Sequence, residues 1–195
     1  VSSAFVIGFY LPTKTRASET TKEAKALEPN AFIEIKSDNT INFIMGQVEM
    51  GQGTYTTLGM CIAEELNVNW EEINFKGAQV APVYNHFYGP LMITGGSSSI
   101  VAKQLEMRKI GAALNIMIIE AAAKKWKIRT YDVETKNSKV INKRTKEELT
   151  FGDLVPLLAS IKVPTDPKIK ELKDCTIVGK PHSRHPKEAW AKVTG

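Results

Sequence analysis

The sequence lacks the features that mark the more specialised classes of protein. Its two cysteines, Cys61 and Cys175, lie 114 positions apart and form no CxxC pair, which excludes a disulfide-rich scaffold and a cysteine-based zinc site. No apolar run reaches the ~20 residues of a spanning helix, so no membrane span is expected. No internal repeat occurs. With 195 residues, 43% of them hydrophobic, the chain has the composition and length of an ordinary globular protein with its own core.

Positive charge is unevenly distributed. Residues 1–102 carry 6 lysines and arginines against 10 acidic residues, whereas residues 103–195 carry 20 against 11. The densest basic stretch, 124–146, contains only two aromatic residues on which bases would stack, Trp126 and Tyr131. This pattern favours a solvated face and no nucleic-acid binding, because charge alone gives weak, salt-sensitive affinity. A basic face that docks an acidic partner is the alternative.

The two ends of the chain differ from its middle. Residues 1–12 (VSSAFVIGFYLP) are apolar and fit either an export-leader remnant or a buried edge strand. Residues 13–30 are polar and are predicted to form a linker. Residues 161–195 contain four of the nine prolines and are predicted to run along the surface as a connector anchored by Trp190.

Between these ends, residues 31–160 alternate strand and helix patterns, which predicts an α+β fold. In chain order the predicted elements are a β-hairpin (31–45), a glycine loop (46–53), a helix (54–66), a strand (73–80), a Gly/Ser loop (94–99), a long buried helix ending near residue 126, a small β-meander (132–150) and a short helix (151–160) with Thr150 as N-cap.

Candidate chemistry is concentrated in two loops, here called the first glycine loop (46–53, GQVEMGQG) and the second glycine loop (94–99, TGGSSS). Each leads into a predicted helix, where free N–H groups and the positive end of the helix dipole favour an anion. The two loops are therefore candidates for converging on one phosphorylated ligand. The alternative is a plain strand-to-helix turn and a helix N-cap. The absence of GKS or GKT excludes a P-loop, and the missing third glycine disfavours a doubly wound nucleotide-binding fold.

A few single residues have a structural and a functional interpretation. Glu49 is predicted to be structural, Cys61 to be a core residue, and His86 to be an exposed loop histidine, with a place near a substrate pocket as the alternative. His182 and His185 are flanked by prolines and are predicted to point apart, so no metal site is expected. Three aromatic residues near His86 are predicted to pack within their loop: Tyr84, Phe87 and Tyr88.

The string VEMGQGTYT, followed about forty residues later by TGGSSS and a long alanine-rich helix, resembles the molybdopterin-binding subunits of the xanthine dehydrogenase/aldehyde oxidase family, in particular the isoquinoline 1-oxidoreductase β-subunit type. YDVETKNSKVINKRTKEELTFGDL resembles the family's small meander and following helix. IVGKPHSRHPKEAWAKVTG resembles the lead-in to its hammerhead-like domain. The resemblance covers residues 28–195.

The resemblance implies a molybdenum cofactor, molybdopterin cytosine dinucleotide, and hydroxylation of an N-heteroaromatic or oxidation of an aldehyde with water-derived oxygen. Electrons would leave through a [2Fe–2S] iron–sulfur partner subunit. The matching residues of the first loop, which contacts the pterin or molybdenum in the family, are Gly51, Gln52 and Gly53, with Thr54 beside them. Those of the second loop, which holds the pterin and pyrophosphate region, are Gly95, Gly96, Ser97, Ser98 and Ser99.

The family's general-base glutamate has no match in this sequence, so no catalytic residue is assigned. The chain resembles an N-terminal module that works with the remainder of a large subunit, and it is not expected to turn over substrate alone. The resemblance also implies a periplasmic protein exported by a twin-arginine leader. The competing hypothesis is a non-catalytic anion- or partner-binding α+β module whose basic half docks an acidic surface.

Overall fold

The computed structural model describes residues 4–7, 32–186, 190 and 193–194. The predicted linker, 13–30, lies outside the described residues. The α+β prediction is confirmed, with seven strands and three α-helices within residues 4–7 and 32–185. These are β1 (Ala4–Ile7), β2 (Ile33–Lys36), β3 (Ile41–Met45), α1 (Thr54–Leu66), β4 (Asn74–Gly77), α2 (Ser99–Trp126), β5 (Val133–Lys136), β6 (Lys139–Asn142), β7 (Glu148–Thr150) and α3 (Val155–Leu158).

The larger sheet has the order β1-β2-β3-β4. The predicted hairpin is confirmed as the antiparallel pair β2–β3, and β4 lies parallel to β3 because α1 carries the chain back to the start of the sheet. β4 is shorter than the predicted strand 73–80. β1 pairs antiparallel with β2 at the edge of the sheet. Of the two interpretations of residues 1–12, this pairing agrees with the edge strand.

The core lies where α1 and α2 cross against the sheet. From Met107 to Ala123 no residue of α2 is fully exposed, as its apolar sequence predicts. At Gly111 the helices approach so closely that a Cβ would lie 2.6 Å from the Ile62 carbonyl oxygen. No described helix is both long enough and apolar enough to cross a membrane.

The predicted meander is the three-stranded sheet β5-β6-β7. Asn137 and Ser138 both have positive φ, 51° and 60°, as a tight two-residue hairpin turn requires. The predicted short helix begins as a 3-10 turn at Gly152 and ends as α3. Thr150 contributes to its start, because its hydroxyl oxygen accepts the Asp153 N–H at 3.2 Å.

The connector is attached to α1 through two buried glutamates. Glu64 Oε2 accepts three successive N–H groups of residues 176–178, at 2.9, 2.6 and 3.0 Å, and its Oε1 lies 2.7 Å from Lys170 Nζ. The neighbouring Glu65 pairs with Arg108 on α2. A segment with little regular structure is thereby fixed to the helical core by charge-assisted hydrogen bonds.

The prediction that Trp190 anchors the connector is wrong, because Trp190 is 71% exposed. The anchor is His185, which is fully buried between the rings of Trp70 and Phe75, with centroid distances of 4.7 and 5.0 Å. Its N–H donates to Thr56 Oγ1 on α1 at 3.2 Å.

The Glu64 contacts predict a specific loss of stability in acid. Burial by itself would raise the pKa of Glu64, but hydrogen bonds from Lys170, Ile177 and Val178 outweigh it and hold the pKa below its ordinary 4.5. A carboxylate with a lowered pKa stabilises the folded state above its unfolded pKa and loses that contribution as pH falls through the folded pKa. The difference in free energy of unfolding between wild type and Glu64→Gln, measured by urea unfolding, should therefore be full at about pH 7 and shrink progressively as pH falls below 4.5. A difference independent of pH would contradict this assignment.

Candidate functional site

The structure brings the two glycine loops together. The first loop follows β3 and enters α1, which places it at the carboxyl end of a sheet strand, where open sheets bind ligands. The second loop precedes α2, and Thr94 Oγ1 accepts the N–H of Val48 at 2.8 Å. Between the loops lies a cavity of about 380 Å³.

Most of the predicted site residues line this cavity. The predicted residues among its lining are Gln52, Gly53, Thr54, Gly95, Ser97 and Ser99. Gly51, Gly96 and Ser98 are not among the lining residues. The other lining residues are Met50 and Thr94, which belong to the two predicted loops but were not named as site residues, and Thr57 and Ile100. Thr57 and Ile100 lie within a few positions of the loops, so proximity to the motifs was the signal for them.

The Glu49 carboxylate accepts hydrogen bonds from the backbone N–H groups of the first loop and the start of α1. Its Oε1 accepts from Gly51 and Gly53, at 2.7 and 3.0 Å, and its Oε2 accepts from Tyr55 at 3.0 Å. The structural role predicted for Glu49 is confirmed. At the start of α1 the chain's own carboxylate therefore already interacts with the positive end of the helix dipole.

The rest of the first loop is also closed by its own side chains. Gln52 Oε1 accepts the Met50 N–H at 2.6 Å, and Gln52 Nε2 donates to the Val48 carbonyl at 2.8 Å. Gly51 and Gly53 have φ of 100° and 86°, a left-handed conformation that favours glycine. Arg184, from the connector, donates to the Gly51 carbonyl. The loop therefore presents a preformed surface to the cavity.

The second loop leaves the start of α2 open. The Gly95 carbonyl accepts both the N–H and the hydroxyl of Ser98, at 3.3 and 2.7 Å, which closes the TGGS turn. No side-chain hydrogen bond caps this helix N-terminus. Because α2 has 28 residues, its first-turn N–H groups carry the full positive end of a long helix dipole. Of the two helix starts at the cavity, the start of α1 is therefore bound by Glu49, whereas that of α2 has no side-chain cap from the described residues.

Gly95 shows that the cavity has room for a ligand close to the backbone. A Cβ built on Gly95 meets no atom within 4 Å, and Gly95 is not in the left-handed region. The fold itself therefore does not require glycine at this position. Glycine here keeps space in a lined cavity, which fits a large cofactor that approaches the loop backbone.

The prediction that His86 is exposed is wrong. His86 is 4% exposed, and its Nε2 lies 2.9 Å from Ser98 Oγ of the second glycine loop. Tyr84 is buried, but its ring packs against Phe32 in the core, so the prediction that it packs within its loop is wrong for this residue. Phe87 and Tyr88 contact the His86 ring, with centroids at 4.2 and 4.4 Å, but the remainder of each side chain is exposed, so the packing prediction holds only in part for them.

Two other single-residue predictions, the core position of Cys61 and the separation of His182 from His185, are confirmed. Cys61 is buried, and burial raises the pKa of its thiol to about 11, which makes it unreactive near neutral pH. His182 is exposed whereas His185 is fully buried, so the two histidines do not form a chelating pair. Among the described residues no group of three or more His, Cys, Asp and Glu could hold a metal ion.

The basic stretch lies at the opposite end of α2 from the cavity. Lys124 and Lys125 occupy the last turn of α2, where cations complement the helix dipole. At 1.5 Å per residue this turn is about 40 Å from the second glycine loop. The basic face and the glycine loops are therefore separate surfaces.

Comparison with known proteins agrees with this geometry. Residues 5–186 match the model of a family described as the molybdopterin cofactor-binding domain. The chain belongs to this family. It is a molybdopterin cofactor-binding domain homologous to molybdenum hydroxylase large subunits, as the resemblance implied.

Individual relatives are much longer than this domain. Isoquinoline 1-oxidoreductase subunit beta from Brevundimonas diminuta is 30% identical over 152 residues, which are 75% of this chain and 19% of the relative. Membrane-bound aldehyde dehydrogenase [pyrroloquinoline-quinone] from Gluconacetobacter polyoxogenes is 30% identical over 130 residues, 67% of this chain and 16% of the relative. Reconstituted CO dehydrogenase from Oligotropha carboxidovorans is 25% identical with a TM-score of 0.47, covering 63% of this chain and 15% of that structure. The chain spans less than a fifth of each relative.

Proposed function

We propose that this chain binds molybdopterin cytosine dinucleotide as the N-terminal part of a molybdenum hydroxylase large subunit. The convergence of the two glycine loops on one cavity carries this proposal. When bound, the cofactor would supply the oxidative hydroxylation chemistry of such enzymes. The chain's own residues bind and orient it, and the general base and the remaining site residues belong to the rest of the large subunit.

The two loops have different roles in this proposal. The second loop and the start of α2 bind the phosphate groups. The free N–H groups there form the positive end of a long helix dipole, and no described side chain caps them with a hydrogen bond. The first loop, whose N–H groups are taken by Glu49, binds the uncharged pterin edge through Gln52, Gly53 and Thr54. This division follows from where the chain's own negative charge already lies.

Cofactor content of the full encoded polypeptide, matured in its host, tests the proposal. We expect about one molybdenum per chain, and release of a cytidine nucleotide on acid hydrolysis. Absence of molybdenum and pterin from a correctly matured preparation would overturn it. Release of a different nucleotide, or none, would retain the molybdopterin and overturn only the cytosine dinucleotide form.

Gly95→Val is expected to lower cofactor retention with little effect on folding. The new side chain enters the cavity, whereas no protein atom lies within 4 Å of the Cβ position. Molybdenum content after dialysis should fall roughly tenfold, equivalent to ~1.4 kcal/mol of binding free energy. Val101→Ile is the control, because Val101 lies in the first turn of α2 just after the loop, is exposed and does not line the cavity. Wild-type retention by Gly95→Val would contradict the placement of the cofactor.

We further propose a [2Fe–2S] partner subunit, a periplasmic location reached through a twin-arginine leader, and an N-heteroaromatic or aldehyde substrate. The likeness to isoquinoline 1-oxidoreductase subunit beta, itself one subunit of an enzyme, supports a partner subunit and an N-heteroaromatic substrate, and the likeness to an aldehyde dehydrogenase supports an aldehyde. The periplasmic location rests on the sequence resemblance alone. An affinity-tagged full polypeptide should copurify with an iron–sulfur protein from the periplasmic fraction. The 195-residue chain alone should not hydroxylate isoquinoline. Recovery of the polypeptide from the cytoplasm would contradict the periplasmic location, and a preparation without iron would contradict the iron–sulfur partner. Turnover by the isolated chain would contradict its dependence on the rest of the large subunit.

A further inference from the structure

His86 links two segments that the proposed site needs in a fixed relation. It belongs to the loop 81–92, here called the aromatic loop, which is irregular apart from one 3-10 turn. Its backbone fixes it there, since its N–H donates to the Leu91 carbonyl at 2.9 Å and its carbonyl accepts from Gly89 at 3.2 Å. Its buried side chain reaches the second glycine loop at Ser98.

The hydrogen-bond network assigns one tautomer to His86. The Ser98 hydroxyl donates to the Gly95 carbonyl at 2.7 Å, so Ser98 Oγ must accept from His86 Nε2. On the other side of the ring, the Tyr88 N–H donates to Nδ1 at 3.2 Å, so Nδ1 carries no proton. Both contacts require the neutral imidazole with its proton on Nε2.

This arrangement determines what the Ser98 hydroxyl does. A serine at a helix start commonly accepts a hydrogen bond from a first-turn N–H, which satisfies the donors that would otherwise bind an anion. Here the imidazole holds the hydroxyl against the Gly95 carbonyl, and no side chain caps α2. The second loop is thereby closed and the helix end remains open.

We propose that His86 is a positioning residue of the cofactor site, which fixes the Ser98 hydroxyl on the Gly95 carbonyl so that the start of α2 stays open to the phosphate groups of a pterin dinucleotide. This inference rests on the proposed function. It concerns a residue outside the two glycine motifs that acts through Ser98 and does not itself line the cavity.

Substitutions in the full encoded polypeptide test the role. His86→Phe keeps a ring but removes both hydrogen bonds, and it should lose molybdenum roughly fivefold faster on dialysis, as expected for one buried hydrogen bond. His86→Gln retains an amide donor for Ser98 and should restore most of the retention. Combining His86→Phe with Ser98→Ala should be no worse than Ser98→Ala alone, because both remove the same interaction.

Amide hydrogen exchange gives a readout that does not depend on cofactor. In His86→Phe without cofactor, exchange should become several-fold faster in a peptide covering residues 94–101 and stay unchanged in one covering β3. Tyr88→Phe, which keeps the ring and the backbone N–H that bonds His86, should behave as wild type in both measurements.

The outcomes separate the two claims. If wild type carries no molybdopterin, the proposed function fails and the role of His86 towards a cofactor fails with it. If wild type carries the cofactor but His86→Phe retains it normally, only the inference about His86 is overturned. The same holds if His86→Phe and Ser98→Ala have additive effects, or if exchange quickens throughout the chain.

Discussion

Glu64→Ala is expected to lower the free energy of unfolding by about 3 kcal/mol, the scale for breaking a buried ion pair. The substitution removes the acceptor of three backbone N–H groups in residues 176–178 and of the Lys170 ammonium. These partly buried donors would lose their acceptor, or the connector would detach from α1. Either result removes a sizeable part of the free energy of unfolding, which is about 5–15 kcal/mol for a typical domain. Urea unfolding measures the loss.

Glu71→Ala is the matched control for this prediction. It removes the same charge from the 3-10 turn that follows α1, but Glu71 is exposed, so the expected change is within about 0.5 kcal/mol. Limited proteolysis distinguishes the two routes to instability, because detachment should expose the lysines of residues 162–173 before the core unfolds. Equal effects of the two substitutions would contradict the anchoring role of Glu64.

Gly111→Ala is expected to destabilise the chain by about 2 kcal/mol, although alanine favours helices more than glycine does. A Cβ at this position would lie 2.6 Å from the Ile62 carbonyl oxygen and 3.2 Å from the Ile62 Cα. These are backbone atoms of α1, so no side-chain rotation relieves the contact and the two helices must separate. Thermal unfolding checks the prediction.

A series at Gly111 and a control elsewhere sharpen the result. Gly111→Val should cost more than Gly111→Ala, because the added methyl groups extend further into α1. Gly95→Ala changes the same residue type where a Cβ meets nothing within 4 Å, and its stability should stay near that of wild type. A neutral or stabilising Gly111→Ala would show that α1 and α2 pack more loosely than the structure has them.

Local patterns predicted most of the elements because their causes are local. The apolar spacing of residues 54–66 predicted α1 with its observed bounds, and the long apolar stretch predicted α2 as a buried helix. The same spacing held an unused signal in Glu64 and Glu65, which lie three and four residues after Cys61, on the apolar face of α1. Two carboxylates on a buried face require partners, but the sequence does not show that Lys170, Arg108 and residues 176–178 provide them.

The candidate site was predicted less completely, because its important contacts join distant positions. The glycine motifs indicated two helix starts suited to an anion, and the tertiary structure separated them. Glu49 folds onto the first helix start, whereas no side chain among the described residues caps the second with a hydrogen bond. The sequence interpretation of His86 failed for the same reason, since its partner Ser98 lies twelve residues away across an irregular loop.

By itself the sequence determined the α+β order of elements, the two glycine motifs and the family to which they belong, because periodicity, turn residues and motif spacing are encoded within short segments. Only the tertiary structure decided that the loops share one cavity, that the start of α2 has no side-chain cap from the described residues, and that Glu64 and His86 hydrogen-bond to the connector and the second loop. These outcomes depend on how α1 and α2 pack, and the contact at Gly111 that sets their separation joins positions 49 residues apart.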